Sequence, residues 1–307
     1  MWKDWIRPWV RPLPQWSIVA VTPPQRMVTA VLRWNDTSTD VTTDHTVASL
    51  NPLVIATSVD AGQRPLLEYI DSDTGRVLGT LHLERKDAVV GDRASIVLYH
   101  VAGGEHRCLS RLRSAWNARL QNRSMLKNRA SGHLNTDPAA VQQLMIAYLC
   151  PRPVVLVSVQ TTEHRNIFPM DLIGPLERSG LFTLALRSNN VSASVIRETG
   201  RATLSHMPAA MKPAVYKLSE HHKLPLAAWD ELPFHVRPSP AHGTPAVATA
   251  LRIQDLAIVH SLDIGLHTFF LCRVVSDESL ADDVQLHHTA GFHQLYRRRS
   301  GRPFVEV

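Results

Sequence analysis

Short β-type runs separated by turn residues are the feature that most restricts how this chain of 307 residues folds. Val, Ile, Leu and Thr dominate each run, and Pro, Gly or Asp bounds it, which is typical of strands. Such runs at close intervals predict a mainly β protein built as a barrel. The runs are 17–21, 27–34, 53–59, 75–83 and 95–101 in the N-terminal half and 154–159, 167–173, 181–187, 202–205, 251–261 and 267–276 in the C-terminal half.

One basic segment separates the two series of runs. Residues 106–136 contain seven Lys or Arg residues and no Asp or Glu. Apolar residues recur through it at helical spacing, so we predict an amphipathic helix with its arginines in water. An anion-binding surface is the alternative, but no RNA-binding signature accompanies the charge, and nucleic acid is not an expected partner. The apolar residues of the predicted face are Leu109, Leu112, Trp116 and Leu120.

Several functional classes are excluded by what the sequence lacks. No apolar run reaches the roughly 18 residues that a spanning helix needs. The first 16 residues combine Trp and Arg where a signal peptide is apolar, so we expect a cytoplasmic protein without a membrane partner. The three Cys residues are too far apart for a disulfide framework, and the 16 His residues form no recognisable ligand set, so no metal is expected. Walker A, GxGxxG and GxSxG motifs are absent as well.

Residues 208–245 differ in composition from the rest of the chain. They hold seven of the 20 Pro residues. This composition predicts a long and mostly irregular excursion from the barrel, with a helix over 214–221. Long ordered excursions of this kind often carry function.

A series of motifs in a particular order begins at residues 151–205. A Pro-Arg-Pro start leads into a strand, a turn leads to Asn166 and a second strand, and a third strand precedes a loop rich in Ser and Asn. Gly265 and His267 open a later strand. In order and spacing, the chain from this start to about Tyr296 resembles the flavin reductase-like, FMN-binding split-barrel family.

This resemblance implies a split-barrel flavoprotein that binds FMN, with FAD as the alternative flavin. It implies an oxidoreductase of the flavin reductase type, in which hydride passes from NADH or NADPH to the flavin. His267 is the implied catalytic residue, because the family places this histidine beside the flavin and the nicotinamide. The implied cofactor-binding residues are Asn166, Phe168, Pro169, Met170, Asp171, Arg187, Ser188, Asn189, Asn190 and Ser192.

The polar loop after the third strand suits a flavin phosphate on chemical grounds as well. A phosphate dianion needs several hydrogen-bond donors and a cation. Arg187 and the polar residues up to Ser192 supply both within six residues. The alternative is a polar turn that caps the helix beginning near Ser192. A helix N-terminus there would favour the same anion.

Asp171 departs from the family pattern, which usually has Ser or Thr at this position. A carboxylate repels a phosphate. Either Asp171 points away, toward Arg165 or Arg187, or the flavin site is altered. The second possibility favours another function, a non-catalytic or flavin-less split-barrel scaffold. His267 likewise has a structural alternative, as a buried histidine with satisfied hydrogen bonds.

The N-terminal half matches no family by itself, but three of its segments echo the C-terminal half. The echoes predict a degenerate second barrel, so that a flavin would lie between two copies, either in a homodimer or in an internal pseudo-dimer. The predicted division is an N-terminal β-rich region over 1–134, ending in the basic helix, and a flavin reductase-like split-barrel domain over 135–307. The echoing pairs are the strands after Pro14 and Pro153, the strands at Leu53 and Leu181, and the turns at Gly75 and Gly200.

Overall fold

The structure, a computed structural model, describes residues 12–22, 27–90, 95–128 and 138–307. The predicted division between residues 134 and 135 lies outside these ranges. Strands dominate the first half, which ends in two helices. Its elements are β1 (Trp16–Val21), β2 (Val28–Trp34), β3 (Thr37–Asp40), β4 (His45–Leu50), β5 (Leu53–Thr57), β6 (Leu66–Asp71), β7 (Val77–Val90), β8 (Ser95–His106), α1 (Arg111–Asn128) and α2 (Pro138–Ala147).

The second half is again mainly β, with short helices between the strands. The predicted excursion over 208–245 holds α4, several single 3₁₀ turns and the small β15–β16 hairpin. The elements of this half are β9 (Arg152–Pro153), β10 (Val155–Gln160), β11 (Arg165–Met170), β12 (Ile173–Leu176), β13 (Leu181–Arg187), α3 (Ala193–Thr199), β14 (Arg201–His206), α4 (Lys212–Lys217), β15 (Val236–Pro238), β16 (Pro245–Val247), β17 (Arg252–Ile264), β18 (His267–Ser279), β19 (Gln285–Ala290), α5 (Gly291–Arg299) and β20 (Val305–Glu306).

Two seven-stranded sheets in this chain have the same strand order. The N-terminal sheet runs β3-β2-β6-β7-β8-β5-β4, and the C-terminal sheet runs β11-β10-β14-β17-β18-β13-β12. When the strands of each sheet are counted along the chain, both orders read two, one, five, six, seven, four, three. The chain therefore contains one sheet topology twice, in line with the internal repeat that the sequence predicts.

Only one of the three echoing pairs joins equivalent strands. Leu53 and Leu181 begin β5 and β13, which hold the same place in the two sheets. The strand after Pro14 is β1, which lies outside both large sheets, so its pairing with the strand after Pro153 is wrong. The Gly75 pairing is also wrong, because Gly75 follows β6 whereas Gly200 precedes the equivalent strand β14.

A four-stranded sheet, in the order β20-β1-β19-β9, connects the two ends of the chain. Strand β1 pairs with β19 from Trp16 opposite Ala290 to Val21 opposite Gln285. Helix α2 packs against β5, β7, β8 and β19. The N-terminal strand is thus part of the C-terminal structure, and α2 lies between the halves.

The two large sheets meet where β4 packs against β12, β13 and β18. One hydrophobic core contains buried residues of both halves, from Val28 to Tyr296. The turn after β4 reaches the β17–β18 turn, where the backbone N–H of Leu266 donates to the carbonyl of Asn51 (3.1 Å). Gly265 adopts φ +58° at this contact.

The basic helix exists as α1, and Leu109 of its predicted buried face is buried, but two other members of that face are exposed. Leu112 is 85% exposed and Trp116 41% exposed, whereas Arg113 and Asn117 are buried. The Oδ1 atom of Asn117 accepts the backbone N–H of Leu13 (2.8 Å), so a polar side chain anchors the helix. A hydrogen bond to a distant segment has no signature in apolar spacing.

Two further differences concern the strands. The single strand predicted over 167–173 is two strands, β11 and β12, because the chain turns at Asp171 and Leu172. Strands β3, β4 and β6 were not predicted, since polar residues interrupt their apolar pattern. Within the described ranges, no helix is long and apolar enough to cross a membrane.

A substitution of Gly265 tests the contact between the halves. A Cβ atom there would lie 2.1 Å from the Asn51 carbonyl oxygen, so Gly265→Ala adds a clash to the cost of a left-handed backbone. Gly180→Ala is the control, because Gly180 has φ +65° and no atom within 4 Å of such a Cβ. In urea denaturation we expect Gly265→Ala to lower the free energy of unfolding by about 1–3 kcal/mol more than the control. Equal losses would contradict the contact.

Candidate functional site

A cleft of about 620 Å³ lies between the two halves. Its N-terminal side is formed by Trp16, the Leu50–Asn51 turn and one face of α2. Its C-terminal side is formed by the ends of β11 and β13, the β17–β18 turn, β19 and part of the excursion. The volume lies within the range of small-molecule sites.

One end of the cleft is cationic. Arg187 at the end of β13 and Lys223 in the excursion both line it and are exposed to solvent. Asn189 adds an exposed amide to the same lining. Two cations and an amide donor are a suitable set for an anionic group such as a phosphate.

Apolar and aromatic side chains form another part of the lining. Val141 and Leu144 of α2 belong to it, together with Met170, Leu266 and the half-exposed ring of Trp16. Such a wall suits the flat face of a ring system, because apolar contact supplies affinity without demanding hydrogen bonds. The cleft lining therefore combines groups suited to an anion with groups suited to a ring system.

The structure brings together seven of the eleven residues implied by the resemblance. Asn166, Phe168 and Ser192 are fully buried and do not line the cleft, and Ser188 lies outside its lining. The residues that do line it are Pro169, Met170, Asp171, Arg187, Asn189, Asn190 and His267.

Asn166 and Ser192 connect the polar loop to its neighbours. The Nδ2 group of Asn166 donates to the Ser192 hydroxyl (2.8 Å) and to the His221 carbonyl (2.7 Å). These bonds tie β11, the loop and the excursion together. Each residue is thus positioned to support the cleft wall rather than to contact a ligand.

Asn190 holds the polar turn that precedes α3, whose N-cap residue is Ser192. Its Oδ1 atom accepts the backbone N–H of Ser192 (2.8 Å), and its carbonyl accepts that of Ala193 (3.0 Å). Its amide donates to Nδ1 of His222 (3.0 Å). Two N–H groups at the start of this seven-residue helix, those of the N-cap residue Ser192 and of Ala193, are therefore paired within the loop.

Asp171 points to neither Arg165 nor Arg187. Its Oδ2 atom accepts hydrogen bonds from the Tyr148 hydroxyl (2.8 Å) and from Nδ1 of His288 (2.7 Å). Burial by itself would raise the pKa of Asp171, but the hydrogen bond and charge interaction with His288, the hydrogen bond from Tyr148 and the charge of Arg152 together hold the pKa below its ordinary value. The side chain is an ionised, hydrogen-bonded carboxylate in the cleft wall.

His288 extends this arrangement away from Asp171. Its Nε2 atom is hydrogen-bonded to the Tyr216 hydroxyl. The ring of Trp16 stacks on the imidazole, with centroids 6.2 Å apart and an interplanar angle of 23°. The sequence analysis did not identify Tyr148, Tyr216 or His288 as site residues. The one signal in the sequence is the adjacent pair His287-His288.

His267 lies in the wall beside the Leu50–Asn51 turn. It is buried, and its Nδ1 atom is 3.3 Å from the hydroxyl of Ser49 on β4. Burial first, and then the charge of Arg187, lower its pKa to about 4. The imidazole is therefore neutral at neutral pH, and it contacts the N-terminal half rather than standing free.

Comparison with known proteins identifies the half that carries most of the cleft. Residues 147–296 match the family model of the flavin reductase like domain. The flavin reductase like domain thus lies within the C-terminal half, over residues 147–296. This finding confirms the family resemblance, and the strands of the structure confirm the mainly β fold. No curated protein matches the chain.

Solved structures that are similar to this chain have low sequence identity to it. Their TM-scores are also low, so these structural superpositions give no information about the site. The NADH:FAD oxidoreductase of Streptomyces globisporus is 17% identical, with 52% of this chain and 94% of that chain covered and a TM-score of 0.43. The FMN-binding protein from Thermus thermophilus is 21% identical, with coverage of 42% and 72% and a TM-score of 0.37. The flavin reductase component of a bacterial two-component tryptophan halogenase is 15% identical, with coverage of 48% and 92% and a TM-score of 0.42.

The lining of the cleft comes partly from the residues that match the family model and partly from residues that precede them. The flavin reductase like domain supplies the cationic end and the Asp171–His288 pair, whereas Trp16, Asn51 and most of the apolar wall precede it in sequence. No group of three His, Cys, Asp or Glu side chains that could hold a metal ion occurs among the residues that the structure describes.

The buried, neutral state of His267 predicts a pH dependence of stability. Below about pH 6.5 the unfolded chain binds a proton at this residue, whereas the folded domain does so only near pH 4, so the free energy of unfolding falls between these values. Between pH 7 and pH 5, we expect His267→Gln to reduce that fall by about 1–2 kcal/mol. Urea denaturation at both pH values measures it, with the exposed His260→Gln as control; equal pH slopes in all three proteins would contradict the buried neutral histidine.

Proposed function

We propose that the cleft binds a flavin and that the protein is an oxidoreductase of the flavin reductase type. The flavin would be FMN, with FAD as the alternative, and the reductant NADH or NADPH. The observation that carries the proposal is the cleft itself, whose lining combines the cations of Arg187 and Lys223 with apolar and aromatic side chains. The match of residues 147–296 to the flavin reductase like domain supports it.

The residues present fit a flavin. Arg187, Lys223 and Asn189 would hold the phosphate, and the wall near Leu144 and Trp16 would hold the ring. A bound flavin supplies the hydride chemistry, for which close stacking of two rings suffices and no protein acid or base is needed. The carboxylate of Asp171 does not stand alone in this site, because two hydrogen bonds compensate it.

His267 has a positioning role in this proposal. A neutral, buried imidazole in contact with Ser49 cannot serve as a strong acid at neutral pH. It can fix the β17–β18 turn against β4 and present one flat edge to the cleft. The proposal therefore keeps His267 at the site as a group that shapes the binding surface.

We also propose that the N-terminal half takes the place of a second subunit. It contributes Trp16, Leu50 and Asn51 to the cleft, so one chain supplies both walls. The equivalent place in the N-terminal sheet is different: residues 58–65 connect β5 to β6 without a helix, where α3 stands between β13 and β14. Beside the connection at residues 58–65, Arg178 forms an ion pair with Asp44 (3.1 Å). One flavin site per chain follows.

A flavin-less binding protein is the second candidate function. The observation that favours it is Asp171, whose hydrogen bonds keep it ionised at a position where it would repel a phosphate. The same cleft would then take an organic ligand without a phosphate. Absorbance of the purified protein in the flavin bands separates the two candidates.

Arg187→Ala tests the phosphate end. Loss of a charge-assisted hydrogen bond costs roughly 1.5–3 kcal/mol, so we expect the Kd for FMN to rise by about 10-fold to 100-fold. The measurement is titration of FMN fluorescence with protein. Arg201→Ala is the matched control, since Arg201 is an exposed arginine of the same domain outside the cleft lining. An unchanged Kd in Arg187→Ala would contradict the assignment of this end.

The internal pseudo-dimer predicts a stoichiometry. We expect a monomer in sedimentation that binds one FMN per chain, because both walls of the cleft belong to a single polypeptide. Binding of FMN only by a dimer, with loss of binding on dilution to the monomer, would show that a second copy completes the site.

A further inference from the structure

Asp171, His288 and Tyr216 form a continuous hydrogen-bonded chain in the wall of the cleft. Tyr216 is bonded to Nε2 of His288, and Nδ1 of His288 is 2.7 Å from Oδ2 of Asp171. All three side chains line the cleft, and Tyr216 is half-buried. None of these three side chains is among the proposed flavin contacts.

The hydrogen bonds define which atoms carry protons. Asp171 is ionised and can only accept, so Nδ1 of His288 is the donor to it. With Nδ1 as the donor to Asp171, Nε2 can accept the proton of Tyr216. The Tyr216 oxygen is left with unused lone pairs, which can accept a hydrogen bond from a ligand.

We propose that Tyr216, His288 and Asp171 form an acid–base relay for an organic ligand that carries a hydroxyl or carbonyl oxygen on an apolar ring. Tyr216 is the residue that touches the ligand. His288 holds the proton, and Asp171 positions the imidazole and stabilises its charged form. The three acid–base groups are not among the proposed flavin contacts, although the ligand would share the apolar wall near Trp16 and Leu144 with the flavin ring.

The proton balance of the relay is complete within these groups. The ligand O–H bond breaks and its proton bonds to the Tyr216 oxygen, while the Tyr216 proton moves to Nε2 of His288. The products are the oxyanion of the ligand and an imidazolium beside the Asp171 carboxylate, and no electrons are exchanged. The reverse sequence delivers a proton to a ligand oxygen.

The surroundings of the relay favour a ring-shaped ligand. Trp16 stacks on His288 and lies 6.3 Å from the ring of Tyr148, and Val141 and Leu144 continue this wall. An aromatic body can occupy the apolar wall while its oxygen reaches Tyr216. The other charged and titratable groups that face the relay are Arg152, whose guanidinium lies 5.4 Å from the Tyr148 ring centroid, Tyr148 itself, His222, His287 and Lys223.

The first probe is 4-nitrophenol, whose phenolate absorbs visible light and so reports its own ionisation. We expect binding to the wild-type protein to lower the apparent pKa of the probe by about one, a tenfold rise in the phenolate-to-phenol ratio. Tyr216→Phe removes the contacting hydroxyl and should abolish this rise. His288→Gln keeps a donor for Asp171 and an acceptor for Tyr216 but cannot hold the extra proton, so it should abolish the rise while the probe still binds.

Tyr69→Phe is the matched control variant. Tyr69 is a buried tyrosine whose hydroxyl lies 3.5 Å from Nε2 of His45, and neither residue lines the cleft. We expect it to behave as the wild type. The second probe, 4-nitroanisole, has no ionisable proton, and its affinity should change by less than about twofold in Tyr216→Phe, because this variant leaves the apolar wall intact.

Two outcomes overturn the relay. The first is an equal rise of phenolate in His288→Gln, which would assign the effect to Lys223 or Arg187 instead. The second is failure of the folded wild-type protein to bind 4-nitrophenol. FMN titrations of the same variants keep this test separate, since absence of FMN binding in the wild type would contradict only the proposed function.

Discussion

The packing of β4 and its following turn on the C-terminal barrel is the interaction on which the cleft depends. This contact brings Leu50 and Asn51 to the β17–β18 turn and places Ser49 against His267. Without it, the C-terminal half would present an open surface, because one wall of the cleft would be absent. The lack of a side chain at Gly265 is what allows the two backbones to approach this closely.

Local sequence patterns predicted the fold better than they predicted the site. Leu53 and Leu181 begin matching apolar runs, and these became the equivalent strands β5 and β13. Burial of α1 could not be predicted in this way, because Asn117 is held by a hydrogen bond to a residue 104 positions away. Periodicity reports which residues are apolar, but a buried polar contact is decided by the partner that tertiary structure provides.

The environment of Asp171 shows the same limit within the site. Sequence reasoning identified this residue as unusual and gave it two arginine partners that were close in the chain. Its actual partners, Tyr148 and His288, are 23 and 117 positions away. Charge complementarity alone did not identify them, since a tyrosine hydroxyl and a histidine satisfy a buried carboxylate as well as an arginine does.

Joining two copies of one sheet topology in a single polypeptide changes how the copies can evolve. In an assembly of identical subunits, every substitution appears twice, so the two symmetry-related surfaces must remain alike. Here each copy is encoded separately. Residues 58–65 form a short connection in one copy, whereas the equivalent connection in the other copy contains α3. One copy is therefore free to serve only as a wall, whereas in the proposed function the other carries the binding residues.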